Sequence, residues 1–199
     1  TGIGKTDLSI NIAQKFNTEI ISCDSRQFYK ELKIGTSPPS IKQLSTVKHH
    51  FIHNMSIHDI YNAGKYEKEG IQIINKLFEK LDVLILTGGS GLYADAILYG
   101  IDNFPNITDN IRKKIIEEYK LSGIEVLRER LRKLDKDYYD EVDLNNSNRI
   151  IRALEVIEST GKKFSKFRTN EKKIRNFKTH ILKIDSDREL LYSRINKRV

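Results

Sequence analysis

Residues 1–6 read Thr-Gly-Ile-Gly-Lys-Thr, with Gly4, Lys5 and Thr6 in the last three places of the pattern G-x-x-x-x-G-K-[ST]. The chemistry open to that pattern is phosphate binding. Glycines let successive backbone N–H groups turn onto one anion, a lysine meets the outer oxygens, and a hydroxyl reaches Mg²⁺. Gly2, Gly4, Lys5 and Thr6 supply all three, and the first glycine of the pattern is expected upstream of Thr1. Leu8, Ile12 and Phe16 recur every fourth residue, so an amphipathic helix over Lys5–Phe16 is expected to place its N-terminal dipole on the anion.

Four further stations carry candidate chemistry. Asp24-Ser25-Arg26-Gln27 follows a strand-like run, Glu19–Cys23. Ligands of open α/β sheets gather at the carboxyl ends of strands, which puts Asp24 beside the phosphate loop. The same four residues also fit a helix capping box, with Asp24 as cap and Gln27 as its partner. Thr87-Gly88-Gly89-Ser90-Gly91-Leu92-Tyr93 follows a second apolar run, Val83–Leu86. An NTP-cleaving enzyme of this type places a Mg²⁺-holding acid at that strand end; Thr-Gly-Gly here points to a loop that holds a phosphate without cleaving an NTP. The glycines allow close approach, and Ser90 is placed to cap the helix that follows.

The third station is a basic tract, residues 162–178. Lys162, Lys163, Lys166, Arg168, Lys172, Lys173, Arg175 and Lys178 face a single acid, Glu171, with Phe164, Phe167 and Phe177 interleaved. Cations along a phosphate backbone with rings free to stack suit RNA, and a solvated charged face is the plainer alternative. At the fourth, Ser186 and Glu189 form a capping box that leaves Arg188 in the first turn of a helix, where it can grip a phosphate bidentately. His49, His50 and His53 cluster without the further ligands a zinc site needs.

The elements that must position these groups alternate. Strand runs Glu19–Cys23, Val83–Leu86 and Thr179–Ile184, with Lys48–His53 weaker, are interleaved with helical periodicity at Lys5–Phe16, Tyr66–Leu81, Ile111–Tyr119, Ile124–Leu134, Arg149–Ser159 and Arg188–Val199. The fold class is α/β: a parallel-sheet core of the P-loop NTPase type over residues 1–100 and 179–199, its first strand expected upstream, with a helical, basic insertion over 101–178. At 199 residues, 38% apolar and 31% charged, the chain is long enough for one good core. Its longest apolar run, Val83–Leu86, is far too short for a bilayer. The single cysteine, Cys23, excludes an internal disulfide and suits a reducing compartment. A net charge of +8 favours an anionic partner.

Taken in order, TGIGKT, IISCDSRQFYKELKIGTSPPS (Ile20–Ser40), HHFIH (His49–His53), TGGSGLYADAILYGI, NRIIRALEVIESTG (Asn148–Gly161) and DRELLYSRINKRV make the chain resemble the tRNA dimethylallyltransferases, also called tRNA isopentenyltransferases. The resemblance spans essentially the whole chain. It implies transfer of a dimethylallyl group from dimethylallyl diphosphate to the exocyclic amine of the adenine just 3′ of the anticodon of tRNA, with Mg²⁺, by a cytoplasmic enzyme that is expected to be a monomer. Carried onto these residues, it implies that Thr1, Gly2, Ile3, Gly4, Lys5 and Thr6 cradle the diphosphate, with Thr6 near Mg²⁺ and Arg188 also on the diphosphate. Asp24 would take the proton from the amine, Ser25, Arg26, Gln27 and Ser90 would line the flipped base, and Asn148, Arg149, Ile150, Ile151 and Arg152 would touch tRNA. Ser90 stands where the family usually has Thr, and Leu144 where Pro is common. Two other enzymes share parts of the pattern: a small-molecule P-loop kinase, which would turn over ATP, and an adenylate isopentenyltransferase acting on free AMP, against which the long basic insertion argues.

Overall fold

The structure is a computed structural model that describes residues 2–105, 107–169 and 171–197. It divides into two compact units, one made of residues 1–101 and 172–199 and the other of residues 102–171.

The first unit is built on a three-stranded parallel sheet. Its strands are β1 (Ile20–Ser22), β2 (His49–His50) and β3 (Ile85–Thr87), in the order β2-β1-β3, with Ile20 opposite both His49 and Ile85 and Ser22 opposite Thr87. Central β1 is buried throughout, as an apolar strand covered on both faces must be. Parallel neighbours need crossovers, and the short α2 (Ile41–Thr46) and α3 (Ala63–Phe78) supply them, while α1 (Lys5–Lys15) precedes β1 and α4 (Gly91–Leu98) follows β3. Asn62 starts α3 by accepting from the Lys65 N–H at 3.0 Å. On its inner face Gly70 permits contact with α4, since a β-carbon there would lie 2.5 Å from Ile97 Cδ1. Helix α1 is turned from its expected face: Ser9, Ile10 and Ala13 are buried, whereas Leu8 and Phe16 are exposed. Ile10 and Ala13 pack beside Ile20 and Val47, and that contact overrides the Leu8–Ile12–Phe16 spacing.

Beneath the turn that follows β1 lies an aromatic cluster. Phe28, fully buried, has the rings of Tyr61, Tyr66 and Tyr93 at 5.3–5.4 Å and Phe51 at 6.1 Å. Tyr66 also donates its hydroxyl to the Ser22 carbonyl at 2.8 Å. This cluster makes the end of β1 a rigid platform.

Residues 172–178, expected in the insertion, belong to the first unit. The reason is Glu67, on the buried face of α3. Its carboxylate accepts from Lys173 Nζ at 2.9 and 3.1 Å, from Arg175 at 2.8 Å and from the Ile101 N–H at 3.3 Å, while Arg175 also donates to the Ala96 and Ile97 carbonyls. The expected strand Thr179–Ile184 does not form. Ile181 and Leu182 are 73% and 71% exposed, and the segment pairs with no strand of the described sheet. A helix, α8 (Arg188–Asn196), closes the first unit.

The second unit is helical: α5 (Asp109–Leu134), α6 (Lys136–Glu141), α7 (Ser147–Thr160) and a 3-10 turn at Phe164–Phe167. Left-handed Gly123 (φ 76°) interrupts α5 between the two helices expected there. Ile115, Leu127 and Leu131 of α5 pack with Ile150, Leu154 and Val156 of α7. Buried Asp135 caps α6 and accepts from both the N–H and the hydroxyl of Ser165 at 2.7 and 2.8 Å, which fixes the 3-10 turn. Among the described residues no helix is long and apolar enough to cross a membrane.

Burial pushes the Glu67 carboxyl up, but the hydrogen bonds from Arg175 and Lys173 outweigh it and hold it below the usual carboxylate range. At acidic pH the unfolded chain therefore binds the proton more readily. The stability contributed by Glu67 is fully present above about pH 5 and is lost as pH falls through the folded value. Glu67→Gln is expected to be less stable at neutral pH and to lose less stability between about pH 5 and pH 3 than the parent. Denaturant unfolding across a pH series measures both, and identical pH slopes would remove Glu67 from the acid response.

Candidate active site

Gly4 occupies the N-cap position of α1 at φ 93° and Gly2 stands at φ 75°, both left-handed, so the loop takes a backbone path that other residues resist. No side chain caps α1, which leaves its first N–H groups available to an anion. Gly2, Ile3, Gly4, Lys5 and Thr6 line one side of a cleft of about 570 Å³. Thr1 lies outside the described residues.

The facing side comes from the carboxyl ends of β1 and β3. The Cys23 N–H donates to the Thr87 carbonyl at 2.8 Å and the Ser90 N–H to the Cys23 carbonyl at 3.2 Å. Between these bonds the Gly88-Gly89 backbone presses on the residues after β1. A β-carbon at Gly88 would meet Cys23 atoms at 2.5–2.7 Å, and one at Gly89 would meet Asp24 Oδ2 at 2.9 Å. Asp24 lines the cleft as a consequence of that clearance. Its Oδ1 accepts from the Arg26 N–H at 3.0 Å, closing a turn; no helix follows, and the expected capping box does not form.

Ser90 does not cap α4 through its side chain. Its hydroxyl accepts from the Ser25 N–H at 2.9 Å and donates to the Ser25 hydroxyl at 2.8 Å, joining the two strand-end loops. Both amide hydrogens of Gln27 go to the carbonyls of Thr36 and Ser37, each at 3.1 Å. Arg26 is exposed. Burial raises the Cys23 thiol to about 12, so it stays protonated and inert at neutral pH.

Three contributors were not legible in the sequence. The segment Thr36–Pro39, with Gln43, walls the cleft. His49 also lines it: Nδ1 lies 2.8 Å from the Val47 carbonyl, to which it must donate, and burial lowers its proton affinity, leaving Nε2 as an acceptor. The third is an arginine, but not the expected one. Arg188 opens α8, is exposed and is not among the residues that line the cleft, whereas Arg194 lines it. Leu191 and Ile195 set that rotation by packing on the loop, where a β-carbon at Gly2 would lie 3.6 and 3.1 Å from them. The cap of α8 is likewise shifted by one residue: Asp187, not Ser186, accepts from the N–H groups of Glu189 and Leu190. Among the described residues no group of three or more His, Cys, Asp or Glu is placed to hold a metal.

Of the residues expected on RNA, several serve the protein instead. Phe164 is buried, stacked on Phe104 at 4.9 Å and tilted against Tyr138 at 4.5 Å, and Phe177 is tilted against Phe78 at 5.9 Å. Lys163 pairs with Asp137, and Arg168 pairs with Glu141 and covers the Tyr138 ring. Lys162, Lys166 and Lys178 enter no ion pair among the described residues. In α7, Asn148 and Arg149 are exposed, but Ile150 and Ile151 sit in the helical core, 0% and 5% exposed. Arg152 is bound to buried Glu155, which Arg112 also meets at 2.8 Å.

The arrangement is an uncapped helix start, cations at Lys5 and Arg194, and two carboxylates, Asp7 in the first turn of α1 and Asp24 after β1, lining the same cleft. That set can hold a phosphorylated compound and accept a proton beside it. Residues 27–199 match the family model described as IPP transferase. The whole chain aligns at 49% identity with a tRNA dimethylallyltransferase of Flavobacterium psychrophilum and at 48% with one of Christiangramia forsetii, spanning about two thirds of their lengths (67% and 66%). Among solved structures it resembles a tRNA isopentenylpyrophosphate transferase from Staphylococcus epidermidis (32% identity, TM-score 0.57, all of this chain and 65% of that one) and a eukaryotic dimethylallyltransferase acting on tRNA (29%, TM-score 0.80, all of this chain and 49% of that one). The glycine-paired strand ends and the Gly-Lys-Thr helix start thus occur in a chain that, by matches over nearly all its length, belongs to the IPP transferase family.

Proposed function

We propose that this chain carries the catalytic core of a tRNA dimethylallyltransferase, which moves the dimethylallyl group of dimethylallyl diphosphate onto the exocyclic amine of the adenine 3′ to the anticodon, in the cytoplasm. The observation that carries the reading is that Asp24 lines the same cleft as the Gly4-Lys5-Thr6 helix start. Its relatives are transferases named for this reaction.

In this reading the core is of the P-loop NTPase type, turned to a prenyl diphosphate. The N–H groups of residues 2–6 and the dipole of α1 bind the diphosphate, and Lys5 and Arg194 neutralise the charge that grows on the departing oxygen. Arg194 takes the role that the resemblance gave to Arg188. Thr6 supplies a hydroxyl, and Asp7 and Asp24 supply carboxylate oxygens in the same cleft, a set that suits Mg²⁺, and the ion when bound would offset the negative charge of the leaving diphosphate. An adenine amine is a weak nucleophile, so positioning and a base are needed; Asp24 receives its proton as the C–N bond forms. The adenine must leave its stack to reach this carboxylate, and the stitched Ser25–Ser90 loops form the surface beside it. Asn148, Arg149, Lys162 and Lys166 provide exposed polar and cationic groups for the tRNA backbone.

The kinase reading is separated by the loop itself. Lys5→Ala is expected to weaken dimethylallyl diphosphate binding about 10- to 100-fold, the range for one charge-assisted contact, with ATP a poor competitor. Lys5-dependent steady ATP hydrolysis would favour the kinase.

Asp24→Asn keeps the size of the side chain and the oxygen that closes the turn with Arg26. Single-turnover transfer is nevertheless expected to slow by about 10²–10⁴, with both substrate affinities nearly unchanged. A rate within a few-fold of the parent would reduce Asp24 to a turn former.

Replacing Lys162 and Lys166 by Gln is expected to lower tRNA affinity and to reduce the slope of log affinity against log salt by about 1–2, leaving diphosphate binding intact. An unchanged salt slope would make both residues ordinary solvated cations.

A further inference from the structure

Gln27 lines the same cleft as Asp24, but its side chain bonds to a segment outside the two strand-end loops. Its backbone is fixed first: the N–H donates to the Asp24 carbonyl at 3.1 Å and the carbonyl accepts from the His53 N–H at 2.8 Å. The carboxamide then meets two consecutive carbonyls, of Thr36 and Ser37, at 3.1 Å each. Two acceptors demand the NH₂ end of the amide, so both of its donors are used.

The segment held in this way is unusual. Ser37 has φ 46°, a left-handed conformation that costs a non-glycine residue, and Pro38 and Pro39 follow it along the cleft. The far end of the segment is tied separately. Gln43 donates to Asp7 in the first turn of α1 at 2.8 Å, and it forms a reciprocal capping box with Ser40 at 2.9 and 3.2 Å. One glutamine thus ties the wall to the turn after β1, and the other ties it to the phosphate-loop helix.

We propose that Gln27 is a positioning residue: its carboxamide holds the Thr36–Pro39 segment as a wall of the cleft, and through that wall it sets the fit of the small diphosphate ester rather than contacting the adenine. The inference rests on the transfer reaction proposed above for the nature of the ester, but not for the existence of the wall.

Gln27→Met removes both donors at nearly constant shape, and Gln27→Glu sets a carboxylate against two carbonyl oxygens. Trypsin cleavage at Lys33 and Lys42, which flank the wall, is expected to rise at least about 10-fold in both variants, more in Gln27→Glu, with the thermal midpoint of the protein as the control for global unfolding. KM for dimethylallyl diphosphate is expected to rise about 10-fold while the Kd for tRNA changes less than about twofold. Ser37→Asn, which tolerates the left-handed conformation better, is expected to recover part of both effects in the Gln27→Met background. Lost tRNA affinity with unchanged trypsin cleavage would make Gln27 a base contact and overturn the proposal. Absence of transfer by the unmutated protein would sink the proposed reaction, yet a raised cleavage rate would still establish the clamp. If Gln27→Glu fails to fold, the Gln27→Met variant alone decides, through the same two readouts.

Discussion

The site depends on a close approach between two backbones. Gly88 and Gly89 lie so near Cys23 and Asp24 that any β-carbon would collide, at 2.5–2.9 Å, with backbone or carboxylate atoms. Two parallel strands end side by side in many α/β proteins, but their following loops usually diverge to make room for side chains. Here the loops stay together, bonded by Cys23 N–H to Thr87, Ser90 N–H to Cys23, and the paired hydroxyls of Ser25 and Ser90. Asp24 is thereby brought into the same cleft as Lys5, and the aromatic cluster around Phe28 packs beneath the turn that carries it. Position is what a weak nucleophile needs most, because alignment contributes as much to such reactions as basicity does.

Charge is organised by the same economy of contact. The buried or nearly buried carboxylates Glu67, Glu155 and Asp135 are each satisfied from within their own unit, by Lys173 and Arg175, by Arg112 and Arg152, and by the Ser165 and Tyr138 donors. A buried carboxylate left alone would be costly, so Glu67 and Glu155 recruit cations and Asp135 recruits neutral donors. The +8 of the sequence is therefore not all available to an outside anion. Lys163, Arg168, Lys173 and Arg175 are paired with acids of the chain, and the cations of the tract that remain without an ion pair among the described residues are fewer than the tract suggested.

Local chemistry made several features readable from the chain alone. Gly-Lys-Thr before a helical run specified an anion-binding helix start, because only backbone donors and a left-handed glycine are needed for it. The apolar runs around Ile20–Ser22 and Ile85–Thr87 marked the strands, and the position of Asp24 after the first of them placed it at the ligand end of a parallel sheet. The break at Gly123 and the long apolar face of Ser147–Thr160 were equally local. Families of residues that bind through their own backbone, or that bury through their own periodicity, carry their signal in short windows.

What only the tertiary structure decided are choices among chemically equivalent residues. Nothing in the spacing distinguishes Arg194 from Arg188; the packing of Leu191 and Ile195 on Gly2 selects the former by setting the rotation of the helix. The phenylalanines of the basic tract look available for stacking until Phe104 and Tyr138 cover Phe164. Gln27 fits a capping box as well as it fits a clamp, and the carbonyls of Thr36 and Ser37, nine and ten residues on, settle which. Thr179–Ile184 reads as a strand-like run, yet a strand exists only where a neighbouring edge offers its hydrogen bonds, and the order β2-β1-β3 gives it none among the described residues. The sequence by itself thus determined which kinds of group the site contains, since those follow from residue type and local backbone; which individual residues fill the roles was decided by long-range packing, because a side chain's direction is fixed by what covers its neighbours.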